Sequence, residues 1–411
     1  MRRHELVDEA SRILWRGYWK RVWIFQEIVV SENPIVQCGS VRVSWEAFCQ
    51  AVIALLEEES VFGGGYGNAA KERLEAVYWE RRAWRRKRGL RNEKSRWNMG
   101  GLEEKGRMGL LDLLVTKRGS EASDARDMVF AISGVASVPV KERQLKITYE
   151  KSPAGVYMDT VKYLIDEGSY EILSHAGLHP STTSRSSKHQ IPSWAPDWRR
   201  PSPYKTKIVD WIATSPSSHL LRNNHIYLPH HNSLICLGHQ SKSHTIQSIS
   251  ADTSEVKPAA GSIGRVIWDD KWRRRKLIEH GVSSDLGTRL GSVEGLVSRS
   301  HPLTYGRKLA RLRGDVLALV PREAREEDVV VVFRGGKVPF VLRRLERGQC
   351  DDDGRDELEE ESLRAFDEMS GKRQDLEIGH FQFIGECFVD GLMRFDSHEK
   401  HNEKIQAFAL H

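Results

Sequence analysis

Residues 19–40 read WKRVWIFQEIVVSENPIVQCGS, and this stretch decides how the first part of the chain folds. Its apolar side chains recur at steps of three and four residues, which predicts a helix with one broad apolar face. Asn33-Pro34 stops that helix, and the apolar run Ile35–Cys38 after it predicts a short buried strand. A helix that leads directly into a short buried strand is typical of an α/β unit.

Further helices are predicted downstream from their capping residues. Ser44 is a candidate N-cap for a helix that extends to about Glu58, because its hydroxyl can accept a hydrogen bond from the first turn. Ser152-Pro153 opens the clearest helix of the chain, with serine as the cap and proline at the first helical position, and Gly168 ends it. The first half of the chain is therefore predicted to be rich in helix.

The second half, beyond about residue 208, is predicted to be rich in β structure. Two β-branched runs, Val329–Phe333 and Val338–Leu342, lie on either side of a Gly-Gly turn and give the strongest hairpin signal. Residues 351–361 are mostly acidic and predict a solvated insertion. The predicted fold class is α+β.

Composition and charge argue against several classes of protein. The 411 residues include 63 basic and 57 acidic side chains, and the net charge of +6 indicates no particular partner. No stretch approaches the roughly 18 apolar residues of a membrane span, and the N-terminal residues lack the apolar core of a signal peptide. We therefore expect no membrane association and a cytoplasmic location. Scattered cysteines, odd in number, predict reduced thiols; they are Cys38, Cys49, Cys236, Cys350 and Cys387.

Common enzyme and metal signatures are missing from the sequence. There is no phosphate-binding glycine loop, no nucleophile elbow and no zincin pair of histidines. Residues 225–244 are rich in histidine, but apart from the loose pair Cys236-x-x-His239 their spacing does not fit a zinc site. We therefore expect no metal.

A basic tract at residues 81–96 allows three interpretations. It could bind nucleic-acid phosphates, with Trp84 and Trp97 stacking on bases. It could be a nuclear-import signal, which makes a nuclear location the alternative. The mild net charge and the lack of a visible nucleic-acid-binding fold favour the third interpretation, a solvated helix without a nucleic-acid partner. The candidate phosphate ligands are Arg81, Arg82, Arg85, Arg86, Lys87 and Arg88.

Five motifs resemble, in order, those of the fungal heterokaryon incompatibility (HET) domain family. The first is a helix and a strand: residues 21–27 resemble its Arg-x-Trp-x-x-Gln-Glu helix, and residues 34–45 its strand ending in Cys-Gly before a Trp. Residues 123–131 are similar to Asp-Pro-Arg-Asp-x-Val-Tyr-Ala, and residues 149–164 to its Asp-Tyr-Ser...Val-Tyr helix. Residues 191–198 are similar to Pro-Ser-Trp-x-Pro-Asp-Trp, and residues 336–343 and 384–393 to its closing strands. The matching positions are Arg21, Trp23, Gln26, Glu27, Cys38, Gly39, Trp45, Asp124, Arg126, Asp127, Trp194, Asp197, Trp198, Gly385 and Glu386.

The resemblance implies a domain organisation. HET domains resemble TIR domains, which are flavodoxin-like α/β units, so we expect a partial TIR-like fragment at residues 1–58. A basic flexible insertion follows at 59–107 and a helical HET-associated region at 108–207. A β-rich region, 208–411, completes the expected organisation and carries the acidic insertion 351–361.

The resemblance also implies a role in non-self recognition and programmed cell death. Some TIR domains cleave NAD with a carboxylate in a Trp-x-x-x-Glu setting, and Trp23 and Glu27 have that spacing here. A carboxylate suits this chemistry because positive charge develops on the ribose. Under this alternative Glu27 acts on NAD, and Arg21, Trp23 and Gln26 support the site.

Two further motifs of the family precede this point in its members and are missing from this sequence. They are of the Leu-Ser-Tyr-x-Trp-Gly and Trp-Ile-Asp types. We therefore expect a domain truncated at its front, without the walls that would position NAD. The leading hypothesis is a non-catalytic protein without a cofactor. Its partner would be another protein, either an incompatibility partner or a second copy.

Overall fold

The computed structural model describes most of the chain outside five long and several short gaps. In this part of the chain the fold contains both helices and strands, and this mixture agrees with the predicted fold class. Two compact units are formed, Met1–Val156 with Trp198–Pro201 and Tyr157–Asp197 with Ser202–His411, so the division runs through the expected helical region 108–207. The described residues are 9, 12–14, 16–60, 65–89, 108–137, 145–178, 191–202, 204, 207–208, 225–228, 230–249, 306–313, 316–346, 355–370, 376–389 and 405–411.

The first unit is mainly helical. None of the helices in the described ranges is both long and apolar enough to cross a bilayer. After a short 3-10 helix (Gly17–Lys20), the elements are α1 (Val22–Val30), β1 (Ile35–Cys38), β2 (Val41–Ser44), α2 (Trp45–Ser60), α3 (Gly65–Lys87), α4 (Leu110–Lys117), α5 (Asp127–Ser133) and the beginning of α6 (Pro153–Asp166).

Helix α1 forms the core of this unit. A nine-residue helix that is apolar on nearly all sides must be covered on nearly all sides, and α1 packs against both α3 and α5. From α5, the side chains of residues 128–132 are buried against it and its neighbours. The buried side chains of α1 are Val22, Ile24, Phe25, Ile28 and Val29.

The prediction that Ile35–Cys38 is a buried strand was wrong. Strand β1 instead pairs antiparallel with β2 in a two-stranded hairpin. Its residues are mostly exposed, and the side chain of Ile35 reaches 65% exposure. The physical reason is the two-residue turn Gly39-Ser40: Gly39 has φ +61°, a conformation that glycine adopts readily, so the chain reverses at once.

Residues expected to form a flexible basic insertion contain a packed helix. Helix α3 lies against α1 and α2, and its side chains Leu74, Val77 and Tyr78 are buried. Residues 90–107 of that segment lie outside the described residues. The predicted caps are confirmed: Ser44 Oγ accepts a hydrogen bond from the Ala47 amide at 3.2 Å, and Ser152 opens α6 in the same way.

The second unit is built around a closed β-barrel of five strands. The barrel order is β4-β11-β9-β8-β7 and back to β4; β5, β6 and β10 extend the sheet from β4, and β3 also pairs with β4. The predicted hairpin is confirmed as β7 and β8. The elements are β3 (His225–Leu228), β4 (Ser233–Ile249), β5 (Arg307–Leu312), β6 (Leu317–Pro321), β7 (Val329–Phe333), β8 (Phe340–Arg344), α7 (Arg355–Ser370), β9 (Ile378–Glu386), β10 (Phe388–Val389) and β11 (Ile405–Leu410).

Aromatic side chains fill the barrel. Phe333 packs at 5.4 Å between ring centroids on Phe340, which in turn lies 5.3 Å from Phe383. Phe408 of β11 completes the cluster, 5.9 Å from Phe333. Alternation along each strand sends the neighbouring side chains outward. Two outer layers bury them, one beneath α7 and one beneath β5 and β6.

The acidic segment contributes one of these layers. Helix α7 includes residues 355–361 of the expected insertion, while residues 351–354 lie outside the described residues. Its apolar side chains Leu358 and Phe366 are buried against β3, β4 and β11, and its acidic side chains lie on the other faces. An amphipathic helix therefore accounts for this part of the acidic run.

Glycine is required at position 238 of the barrel. A Cβ atom there would lie 2.6 Å from the carbonyl oxygen of Val332 and 3.2 Å from the Phe333 ring. We predict that Gly238→Ala lowers the free energy of unfolding by about 2 kcal/mol, because a packed interior resists added volume. Denaturant unfolding measures this loss.

The matched control is Gly155→Ala in α6, where a Cβ atom would make ordinary contacts at 3.5 Å. Because alanine favours a helix over glycine, this variant should be as stable as the parent or slightly more stable. Equal free energies of unfolding for Gly238→Ala and the parent would contradict the packing described for the barrel.

Candidate functional site

The candidate catalytic residues lie on or beside α1. Gln26 and Glu27 lie three and four residues after Trp23, so each is a neighbour of Trp23 on the helix surface, although the two consecutive residues point in different directions. Arg21 is the N-cap residue, with an exposed side chain. The structure therefore brings these four motif residues together in one region, as the helical spacing predicts.

Glu27 is exposed and weakly held. It makes no side-chain hydrogen bond or ion pair with any residue the structure describes. Partial burial, and then the negative charge of Glu27, raise the pKa of the Tyr18 phenol. A carboxylate that no neighbour orients is a surface acid, since catalysis depends on positioning.

Gln26 faces the protein interior. Its Oε1 atom is buried without a hydrogen-bond partner among the described residues. Its Nε2 atom lies 3.3 Å from where a Cβ atom of Gly134 would be. Because an amide in such a position packs between helices, Gln26 contributes here to the contact between α1 and the end of α5.

Arg81 of the basic tract caps the C-terminal end of α1. Its buried guanidinium donates hydrogen bonds to the carbonyl oxygens of Ile28 (2.9 Å) and Glu32 (3.0 Å), and also to that of Ser31. Its Nε atom donates to Glu46 Oε1 at 3.1 Å. The last carbonyl groups of a helix have no partner within the helix, and this cation also complements the negative end of the helix dipole.

The other basic residues of the tract differ in their surroundings. Arg82 lies over the rings of Tyr78 and Trp79, and its Nη1 atom donates to the Tyr78 hydroxyl at 3.0 Å. Arg85 donates to the Glu32 carbonyl at 2.8 Å. Arg88 lies 4.6 Å from the centroid of the Trp84 ring. Arg86 is exposed, and the side chain of Lys87 lies outside the described residues. Intramolecular contacts therefore engage much of the tract.

The hairpin β1–β2 presents an apolar face to solvent. Its register places four side chains on one face: Val36 opposite Val43, and Cys38 opposite Val41. Val41 is 63% exposed and Val43 is 38% exposed. Cys38 is also exposed, and a guanidinium nitrogen of Arg16 lies 3.8 Å from its sulfur. We call these four residues the hairpin face.

Trp45 anchors the base of the hairpin. Its side chain is buried against Trp19 and Phe48, at 5.9 and 6.1 Å between ring centroids. Its amide donates to the carbonyl of Pro34 at 3.0 Å, which ties the start of α2 to the start of β1. The segment from Cys38-Gly39 to Trp45 therefore forms a turn and an anchor here.

The Asp-x-Arg-Asp motif clamps the loop that leads into α6. Arg126 pairs with both carboxylate oxygens of Asp124, at 2.9 and 2.5 Å, and donates to the carbonyls of Tyr149 and Lys151. The hydrogen bond from Arg126 holds the pKa of Asp124 below its ordinary value. The Tyr149 hydroxyl donates to Asp127 at 2.6 Å, and this bond raises the pKa of Tyr149 to about 12.

The two tryptophans of the Pro-Ser-Trp motif are fully buried. In the second unit, Trp194 Nε1 donates to the carbonyl of Asn232 at 3.3 Å, and Asp197 is buried nearby in the sequence. In the first unit, Trp198 lies beneath the guanidinium of Arg118, and its carbonyl accepts the Gly119 amide at 2.9 Å. Both rings are therefore core residues of their own units.

Glu386 forms a fully buried ion pair that the sequence did not reveal. Its Oε1 atom accepts from Arg307 at 2.5 Å and from the Ile208 amide at 2.7 Å. The ring of Tyr204 lies 4.1 Å from the Arg307 guanidinium, and burial raises the pKa of its phenol. Gly385 has φ +148°, and a Cβ atom there would lie 2.8 Å from the Tyr204 hydroxyl. Glycine is thus required beside the pair.

Comparisons with known proteins identify no relative of this chain. No protein-family model, no curated protein and no solved structure matches it. Within the described ranges there is also no group of three or more side chains arranged to bind a metal ion. What the candidate site can do therefore rests on its geometry.

We predict that Arg81→Met lowers the free energy of unfolding by about 3 kcal/mol. The substitution leaves buried carbonyl groups at the end of α1 without donors, and Glu46 without its cation. Chemical denaturation measures the loss. The control is Arg86→Met on the exposed side of the same helix, which should change stability by less than about 0.5 kcal/mol. Similar losses of stability for the two variants would show that capping of α1 by Arg81 does not stabilise the fold more than an exposed arginine does.

We also predict that Tyr149→Phe destabilises the fold by about 1 kcal/mol, because it removes a hydrogen bond to a buried carboxylate. Thermal unfolding at one fixed pH measures this change. Tyr18→Phe makes the same chemical change at a tyrosine of equal exposure, 52% against 53% for Tyr149, whose hydroxyl makes no hydrogen bond with a described residue, and it should have little effect. A Tyr149→Phe variant as stable as the parent would remove the structural role assigned to this clamp.

Proposed function

We propose that this chain is a HET-type protein of non-self recognition and cell-death control that acts by binding another protein. The observation that carries the mode of action is the exposed hairpin face. The family assignment draws on the order and wording of the five motif segments. A TIR-like origin of residues 1–58 is part of the proposal and draws on these motifs alone. The described residues of that range form helices and an antiparallel hairpin.

The surroundings of the motif residues support the interpretation that these motifs stabilise the fold. Trp45, Trp194 and Trp198 are buried, and Glu386 is fully buried in its ion pair. Asp124 and Arg126 clamp a loop. Residues in such buried or bonded positions can stabilise the fold whether or not the protein has an active site.

The hairpin face supports binding to protein. A two-stranded sheet is marginally stable alone, and a face of β-branched side chains is expected to be covered. Strand edges also offer free N–H and C=O groups to a partner strand. We assign the contact to a second copy of this chain, because identical edges can pair antiparallel about a two-fold axis.

The alternative, NAD cleavage by Glu27, has less support in this geometry. The carboxylate is exposed and no described side chain orients it, while Gln26 faces the interior. Nucleic-acid binding through the basic tract is also weakened, since Arg81 is buried and Arg85 is bonded to a carbonyl. Arg21, Trp23 and Glu27 remain the residues to test for NAD.

Val41→Lys should weaken self-association of the purified chain by about tenfold or more, because a charge in an apolar contact must be desolvated. Analytical ultracentrifugation over a concentration series measures this. Gln37→Lys is the matched control: it adds the same charge to the opposite face of the hairpin and should leave association within about twofold.

Two results would contradict the proposal. One is a chain that stays monomeric at every concentration tested, or whose association is equally sensitive to both lysines. The other is NAD turnover by the purified chain that is lost in Glu27→Gln, which would assign the function to the catalytic alternative instead.

A further inference from the structure

Three side chains in the second unit form a hydrogen-bonded chain that runs from the interior toward solvent. The Tyr170 hydroxyl lies 3.1 Å from Nδ1 of His225, and Nε2 of His225 lies 2.9 Å from Oδ1 of Asp166. Tyr170 and His225 are buried, whereas the side chain of Asp166 is 32% exposed. The chain therefore connects a buried phenol to a carboxylate that water can reach.

Three separate elements of this unit hold the three side chains. Tyr170 begins the short 3-10 helix Tyr170–His175, and Asp166 is the last residue of α6. His225 is the first residue of β3, which pairs with β4. The phenol ring and the imidazole meet edge to face, at 5.9 Å between centroids. The fold of the unit therefore fixes both the distances and the orientation of the rings.

The number of protons available fits one arrangement of this chain. A phenol has one proton to donate, and among the described residues only His225 forms a hydrogen bond with the Tyr170 hydroxyl. Nδ1 therefore accepts from the phenol, so the imidazole carries its proton on Nε2 and donates it to Asp166. In an imidazolium both nitrogens would donate, and the buried phenol proton would have no acceptor among the described residues. Each link thus holds one proton, directed toward Asp166.

Burial decides what this phenol can do. Tyr170 is only 7% exposed, so a substrate cannot reach its oxygen for acid–base or nucleophilic chemistry. An electron, in contrast, can leave a buried ring by tunnelling through the protein. Loss of an electron makes the phenol proton strongly acidic, and a radical cation that kept this proton would be an unpaired buried charge. A base in contact with the hydroxyl removes that obstacle.

The phenol keeps its proton until it is oxidised. Burial, and then the charges of Cys236 and Asp166, raise the pKa of Tyr170 above its ordinary value. The site at rest therefore holds a protonated phenol, a neutral imidazole and a carboxylate, which is the state from which one proton can move along the chain.

We propose that Tyr170 is a redox-active tyrosine that gives one electron to one-electron oxidants at the protein surface. As the electron leaves, the O–H bond of Tyr170 breaks and its proton binds Nδ1 of His225, while the proton on Nε2 moves to the Asp166 carboxylate. The products are a neutral tyrosyl radical, a neutral imidazole and a protonated Asp166, and the oxidant is reduced by one electron. The radical forms in the interior without leaving a charge there.

Two other described tyrosines lack part of this arrangement. Tyr227 also lies in β3, but its hydroxyl contacts the sulfur of Met158 at 3.8 Å, and a thioether is a weak acceptor that does not take up a proton. Tyr149 donates to the carboxylate of Asp127, but it is 53% exposed, so a radical there meets other molecules and decays. Tyr170 combines a base with burial.

Flash oxidation of the full chain tests the proposal. A photo-oxidised ruthenium tris(bipyridine) complex supplies the one-electron oxidant, and electron paramagnetic resonance of rapidly frozen samples detects the radical. In the parent chain a tyrosyl signal should outlast that of free tyrosine, and incorporation of ring-deuterated tyrosine should narrow it. A parent chain without such a long-lived tyrosyl signal would overturn the proposal.

A pair of variants locates the radical. Tyr170→Phe should lower the yield of the long-lived radical by at least about tenfold, because it removes the phenol that is paired with a base. Tyr227→Phe makes the same change at a half-buried tyrosine of the same unit and should leave the yield as in the parent. Equal yields from the two variants would mean that the radical forms elsewhere, and the assignment to Tyr170 would be wrong.

A third variant tests the proton path. Asp166→Asn keeps an oxygen that can accept from His225 but cannot take up the proton, so radical formation should slow by about tenfold or more. Its side chain is partly exposed, so the variant should fold, which circular dichroism checks. Asp159→Asn makes the same change in the same helix and should form the radical at the parent rate. An Asp166→Asn variant as fast as the parent would refute the path.

Discussion

The first unit depends on the guanidinium of Arg81 at the end of α1. Five of the nine side chains of α1 are buried, including Ile28 and Val29 near its end, so its last carbonyl groups cannot all turn to water, and an unpaired buried carbonyl costs free energy. Arg81 meets several of them from α3 and also binds Glu46 of α2. One side chain thus joins three helices, and the hairpin between α1 and α2 is held at its base.

The same accounting of buried polar groups explains the family-like motifs. Asp124 and Arg126 form an ion pair, and Arg126 also donates to the carbonyl groups of a loop. In the second unit, the guanidinium of Arg307 pairs with the fully buried carboxylate of Glu386. These residues resemble catalytic acids and bases in type, yet their partners belong to the protein itself. The hairpin face is instead both exposed and apolar, and such a surface suits contact with another protein.

Local features could be predicted from the sequence, and distant pairings could not. The caps at Ser44 and Ser152 lie within three residues of their targets, so their sequence alone specifies them. The barrel closes through β11, which pairs with a strand more than 150 residues earlier, and no local pattern encodes that pairing. Arg81 and its exposed neighbour Arg86 are the same in type; only the packing of α3 on α1 makes one a cap. Strand β1 was predicted to be buried because its residues are apolar, but burial depends on what packs against a strand, and among the described residues β1 pairs with β2 and remains mostly exposed.

The central claim is that this protein acts through the hairpin face and not through Glu27. Expression of the chain in a filamentous fungus, with viability scored, tests it directly when Val41→Lys and Glu27→Gln are compared at equal protein levels. If the hairpin face carries the function, Val41→Lys abolishes the loss of viability and Glu27→Gln preserves it. The reverse pattern, with Glu27→Gln inert and Val41→Lys fully active, would show that Glu27 acts and the hairpin face does not.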